Sequence, residues 1–83
     1  MTDKTEQAIA MGKRAKLLMD DEAMVAAFDA VRSDYLHTWL SSTSTEQREK
    51  CSMAIHTIEH VKGKLQTFID NGKIAQSGLD EAQ

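Results

Sequence analysis

The sequence predicts an all-α protein, built from an antiparallel helical hairpin of about residues 22–40 and 45–71 and an additional N-terminal helix of about residues 5–19. Apolar residues recur at spacings of three and four along these segments, which is the pattern of one helix face. No segment keeps the apolar–polar alternation that is typical of a strand. Residues of high helix propensity dominate, and the chain contains no proline.

Length and charge limit the classes of function. With 83 residues the chain is one domain at most, and we expect residues 1–75 to form it, followed by a polar tail of residues 76–83 that frays. The single cysteine excludes an internal disulfide. The net charge of −3 argues against nucleic acid as a partner. No apolar run is long enough to cross a membrane, so we expect no membrane partner.

The first helix carries small residues on its apolar face. Ala8, Gly12 and Ala15 are spaced so that another helix can approach closely. Asp20 and Asp21 then offer an N-cap for a second helix. The apolar stripes before and after Asp20 differ in phase by about a third of a turn. We therefore expect a turn or kink near residues 19–22.

The second helix carries three of the four aromatic residues of the chain on one stripe. Met24, Phe28, Val31, Tyr35 and Trp39 follow one another at helical spacing on that stripe. The helix is expected to end at about residue 40, because the Ser and Thr residues that follow favour caps over the helical backbone.

A capping box marks the start of the third helix. Ser44 is the expected N-cap and the side chain of Gln47 is expected to reach back to it, while Thr43 with Glu46 is the neighbouring alternative. The short loop before this helix implies an antiparallel hairpin. Gly72 predicts the end of the helix, since glycine readily adopts the left-handed conformation of a C-terminal cap.

The two helices of the hairpin differ in length, and the difference leaves an overhang. The third helix should measure roughly 40 Å and the second roughly 28 Å. Either the first helix folds over the overhang and completes a three-helix bundle, or a second subunit covers it and the hairpin oligomerises. The sequence leaves both arrangements open.

The apolar faces of the second and third helices supply the predicted core and interface. We expect Trp39 to close the hairpin near Arg48, which can also bond to the hairpin loop. The ten residues predicted for the core and interface are Met24, Phe28, Val31, Tyr35, Trp39, Ala54, Ile58, Val61, Leu65 and Phe68.

One short motif suggests chemistry. His56, Glu59 and His60 match H-x-x-E-H, a zinc-protease pattern with two histidines on one helix face. A third zinc ligand would have to come from the helix end or the tail, and a chain of this length has no second domain to form a cleft. We expect these histidines on the polar flank of the helix, and Cys51 as a small buried apolar residue. The sequence therefore predicts no catalytic, cofactor-binding or metal-binding residues and no small-molecule substrate, so we expect a protein that is not an enzyme.

Several short stretches of the chain form a recognisable pattern. They are Leu17-Leu18-Met19-Asp20, Ala27-Phe28-Asp29, Tyr35, Trp39, Arg48-Glu49, Val61, Leu65 and Gly72-Lys73-Ile74-Ala75. Together they resemble a family of small, uncharacterised all-helical bacteriophage and prophage proteins. The resemblance covers about residues 15–75 and implies an all-helical fold and a phage origin, without any catalytic residue.

The resemblance leads to two hypotheses about function. The first is a non-enzymatic phage structural or assembly protein that acts through helix packing, either as a homo-oligomer or bound to a larger phage protein, in the host cytoplasm or the virion. The alternative is a small acidic inhibitor or regulator of a host or phage enzyme. The mixture of acidic and basic residues along the chain weakens the alternative.

Overall fold

The structure is a computed structural model that describes residues 3–82. Its three helices are α1, Lys4–Asp20, α2, Glu22–Ser41, and α3, Thr45–Ala82. No strand occurs among the described residues. Both α1 and α2 pack on the long α3, so the all-α bundle that the sequence predicts is confirmed.

The helices form a rod rather than a compact bundle. α1 and α2 contain 17 and 20 residues and lie one after the other along α3, which contains 38. The rod measures 60 × 24 × 21 Å. Each cross-section therefore contains α3 and either α1 or α2. The first helix does cover the overhang of α3, and it does so in line with α2.

A single extended residue separates α1 from α2. Asp21 has φ −72° and ψ 123°, so it ends α1 and begins α2. Its carboxylate Oδ1 accepts a hydrogen bond from the backbone N–H of Met24 at 2.9 Å, and its own N–H donates to the carbonyl of Leu18 at 3.3 Å. The predicted kink and N-cap are confirmed, and they arise because the Asp21 side chain replaces a helical hydrogen bond.

The connection between α2 and α3 contains the predicted capping residue and one unexpected partner. Ser44 Oγ accepts from the backbone N–H of Gln47 at 3.2 Å. The Gln47 side chain does not reach back to Ser44, because Gln47 Oε1 accepts from Ser42 Oγ at 2.6 Å. Ser42 Oγ in turn accepts from the Ser44 N–H at 3.1 Å. The buried hydroxyl of Ser42 thus completes the capping box.

The predicted end of α3 at Gly72 is wrong. α3 continues through Gly72 to Ala82, and no glycine in the described residues has a positive φ. Gly72 instead allows the close approach of α1, as described below. The tail that was expected to fray is helical from Gln76 to Ala82, and Gln83 lies outside the described residues.

The core is a thin seam between α3 and the two shorter helices. The buried apolar residues are Ala15, Cys51 and Ile69, and Ser42 is the buried polar residue of the described part. No large side chain there is completely buried. A rod that is two helices thick cannot surround a large side chain, so much of its apolar surface stays in contact with solvent.

Candidate functional site

The ten residues predicted for the core and interface divide into two groups by burial. Six are half-buried along the seam: Met24, Phe28, Trp39, Ala54, Ile58 and Leu65. The other four are more exposed, at 44% for Val31, 40% for Tyr35, 46% for Val61 and 39% for Phe68. Apolar side chains thus continue from the seam onto the surface.

Two columns of apolar residues run along α3 in a seven-residue repeat. The inner column contains Cys51, Ile58, Leu65, Gly72 and Leu79. The outer column contains Ala54, Val61, Phe68 and Ala75. The inner column faces α1 and α2, since Cys51 and Gly72 are buried there. The outer column lies beside it on the helix, about 60° away. Its two middle residues, Val61 and Phe68, are exposed to solvent.

The outer column belongs to one side of the rod, which we call the apolar side. Consider two antiparallel helices, each viewed from its own N-terminus. Residues that are rotated in the same direction away from the line of helix–helix contact then lie on the same side of the pair. That direction of rotation brings Val31 of α2 and Met11 of α1 to the side of the outer column. Met11 is 47% exposed. Exposed apolar residues from all three helices therefore lie together on this side.

The opposite side of the rod contains a groove at the crossing of α1 and α3. Arg32 and Glu59 form an ion pair on this side, with Nε and Oε1 3.3 Å apart. The groove has a volume of about 450 Å³ and almost wholly apolar walls, with three lysines at its rim. Its lining residues are Ile9, Gly12, Lys13, Lys16, Leu17, Ile69, Gly72, Lys73 and Gln76.

The groove exists because two glycines meet at its floor. A Cβ atom built on Gly12 would lie 2.8 Å from the carbonyl oxygen of Phe68 and 3.1 Å from the Cα of Gly72. No side chain from either position can therefore fill the space between the helices. The long lysine side chains shield its walls, and Lys16 also pairs with Asp20 at 3.0 Å. The arrangement suits an apolar side chain that has an acidic neighbour.

The hairpin end of the rod is closed by an aromatic–cation contact. The guanidinium carbon of Arg48 lies 4.8 Å from the centre of the Trp39 ring. Arg48 Nε also donates a hydrogen bond to the carbonyl oxygen of Ser42 at 3.0 Å. The predicted position of Trp39 and the predicted bond from Arg48 to the loop are both confirmed. The contact joins α2 to α3.

The residues of the zinc-like motif do not meet a third possible metal ligand in the described part of the chain. His56 and His60 are exposed on α3, and Glu59 is the ion-pair partner of Arg32. Between residues 3 and 82 no three His, Cys, Asp or Glu side chains lie close enough together to hold a metal ion. Cys51 is buried, as expected.

Sequence reasoning missed the role of Gly72 and the full length of the apolar columns. The signal was present, because Ala75 and Leu79 continue the seven-residue repeat beyond Gly72. A helix that ended at Gly72 would have left both without a role. Gly12 and Gly72 also lie against each other. This contact can be recognised only once α1 is known to pack on α3.

Comparison with known proteins does not place the chain in a family. No family model, curated protein or solved structure matches it. In the part of the chain that the structure describes, none of the helices is both long enough and apolar enough to cross a membrane.

Proposed function

We propose that this chain is a non-enzymatic, phage-encoded structural or assembly protein that acts through helix packing, as a homo-oligomer or bound to a larger phage protein. The observation that carries the proposal is the apolar side of the rod. Val31, Val61 and Phe68 leave about two fifths or more of their surface in solvent. Apolar patches of this kind on a small protein are typical of interaction surfaces.

The phage origin is supported by the sequence resemblance alone. Residues of the resembling stretches also occupy structural positions, since Trp39 and Arg48 close the hairpin and Gly72 forms the helix crossing. A family that keeps such residues would keep this rod. Its surface would then be the part that meets other phage components.

The test is whether the protein cosediments with phage particles. A strain that carries the gene within its prophage is induced, and the lysate is separated on a density gradient and probed with an antibody to the protein. We expect the protein in fractions that contain particles or their precursors. A matched strain whose copy carries Val61→Glu should lose this association if the apolar side makes the contact.

Two results would contradict the proposal. One is a protein that stays at the top of the gradient and is never recovered with a phage protein after crosslinking. The other is purified protein that turns over a substrate at a rate that depends on its own side chains.

A further inference from the structure

The chain exposes more accessible surface than a compact folded protein of the same mass. Its accessible surface is 6484 Å², whereas a compact monomer of 9.2 kDa exposes about 4,900 Å². Its radius of gyration is 17.6 Å, against about 12 Å for a compact domain of this length. A standard interface removes about 800 Å² from each partner. The excess is therefore large enough for one extended contact along the rod.

The outer column of α3 has the symmetry that contact with a copy of itself requires. Its residues run small, medium, large, small: Ala54, Val61, Phe68 and Ala75. When a second α3 is laid antiparallel with its midpoint on the same point, Val61 meets Phe68 of the partner subunit and Ala54 meets Ala75 of the partner subunit. Small residues then face small ones, and the larger apolar pair fills the centre on both sides of a twofold axis.

From these observations we infer that the apolar side is a homodimer interface, in which two rods pack face to face and antiparallel, with α3 against α3. The inference deepens the proposed function, on which it rests, by naming the partner as a second copy of this chain. At each level along the dimer, four helices surround one core, which is the arrangement of a four-helix bundle.

The shorter helices fit the same symmetry. The midpoint of the outer column lies between Lys64 and Leu65. Because α1 and α2 are similar in length and lie in line along α3, the break between them at Asp21 lies near this midpoint. The twofold axis therefore places α1 of one chain against α2 of the other. Met11 then approaches Val31 of the partner subunit, and both are exposed apolar residues in the single chain.

The first experiment measures mass in solution by light scattering at high micromolar concentration. We expect twice the chain mass of 9.2 kDa. Val61→Glu should weaken the dimer by about 100-fold or more, because it buries an unpaired carboxylate on both sides of the interface. Ile74→Glu is the matched control, since Ile74 is 70% exposed on the back of α3, and its dimer should be unchanged.

A second variant keeps the test valid if Val61→Glu does not fold. Val61→Ala removes only apolar surface and should weaken the dimer by about tenfold while the helix content, measured by circular dichroism, stays the same. A helical wild-type protein that has the mass of one chain overturns the inference. So does a dimer that Ile74→Glu disrupts and Val61→Glu leaves intact.

Crosslinking tests the antiparallel arrangement. In a Cys51→Ser background, Lys64→Cys places a thiol beside the twofold axis and should form an intermolecular disulfide under mild oxidation. Gln66→Cys, on the opposite side of α3, should remain largely uncrosslinked. Equal crosslinking of both variants overturns the arrangement.

The two proposals can fail separately. A dimer with these properties that never associates with particles contradicts the phage role and leaves the interface intact. A protein that is recovered with particles and is a single chain when purified contradicts the dimer and leaves the role intact.

Discussion

Gly12 and Gly72 lie against each other so closely that a Cβ atom built on either would come within 3.1 Å of the Cα of the other. Each glycine lies inside its helix, away from both ends, with ordinary helical geometry. Their role is therefore to let two backbones meet, and the helix-destabilising cost of glycine is offset by packing along the crossing of α1 and α3.

This contact predicts opposite effects for the same substitution at two glycines. Gly12→Ala should lower the free energy of unfolding by about 1–3 kcal/mol, because its Cβ meets the backbone of α3 and cannot be accommodated without moving a helix. Gly63→Ala should raise it by up to about 1 kcal/mol, since nothing lies within 4 Å of that position. Urea unfolding followed by circular dichroism measures both, and equal stabilisation by the two variants would contradict the close crossing.

The hairpin closure predicts an unequal effect of removing two arginines. Arg48→Ala should cost about 1–3 kcal/mol of stability, because it removes both the contact with Trp39 and the hydrogen bond to Ser42. Arg32→Ala is the control and should cost no more than about 1 kcal/mol, since its ion pair with Glu59 is half exposed.

Fluorescence adds a second measurement for the arginine pair. Trp39 is the only tryptophan of the chain, so its emission reports on the hairpin end. Arg48→Ala should change the emission of the folded protein and Arg32→Ala should not. Identical spectra for wild type and Arg48→Ala would show that the guanidinium does not cover the ring.

The break between α1 and α2 predicts a difference between two adjacent aspartates. Asp21→Ala should destabilise the protein by about 1 kcal/mol through loss of the cap on the Met24 N–H. Asp20→Ala should cost less, because Asp20 only pairs with Lys16 on an exposed surface. Thermal unfolding of both variants at the same protein concentration measures the two losses of stability. A larger loss of stability for Asp20→Ala than for Asp21→Ala would be evidence against the cap.

Burial of Cys51 predicts slow thiol chemistry in the folded protein. Its side chain is 4% exposed, so a thiol reagent should react much more slowly with the folded chain than with the chain in denaturant. The control is the double variant Cys51→Ser with Ser52→Cys, which moves the thiol to an exposed neighbouring position and should react at once. Rapid modification of Cys51 in folded protein would contradict a closed seam at this level.

The sequence predicted local features well because neighbouring residues determine them. Asp21 lies next to the helix that it caps, and the same holds for Ser44. The recurrence of apolar residues at spacings of three and four also sufficed to predict the all-α fold. The end of α3 was missed because the role of Gly72 depends on Gly12, which is distant in the sequence. Glycine in a helix has two physical explanations, a cap or a close approach, and local pattern favours the first.

The surface was harder to predict than the helices. The spacing of Val61 and Phe68 identified an apolar face and could not say how much of it a second helix covers. That depends on whether α1 lies beside α2 or in line with it. The in-line arrangement leaves Val61 and Phe68 of the outer column exposed to solvent, and the candidate site follows from this arrangement.

The in-line arrangement of α1 and α2 also sets an order for folding. Trp39 and Arg48 are close in sequence, so the hairpin end can form with little loss of chain entropy. Each further contact along α3 then closes only a small additional loop, and the start of α1 meets the end of α3 last. The chain should therefore assemble from the connection at Ser42 towards the open end and come apart in the reverse direction. Hydrogen exchange should be slowest near Cys51 and fastest at the start of α1 and the end of α3.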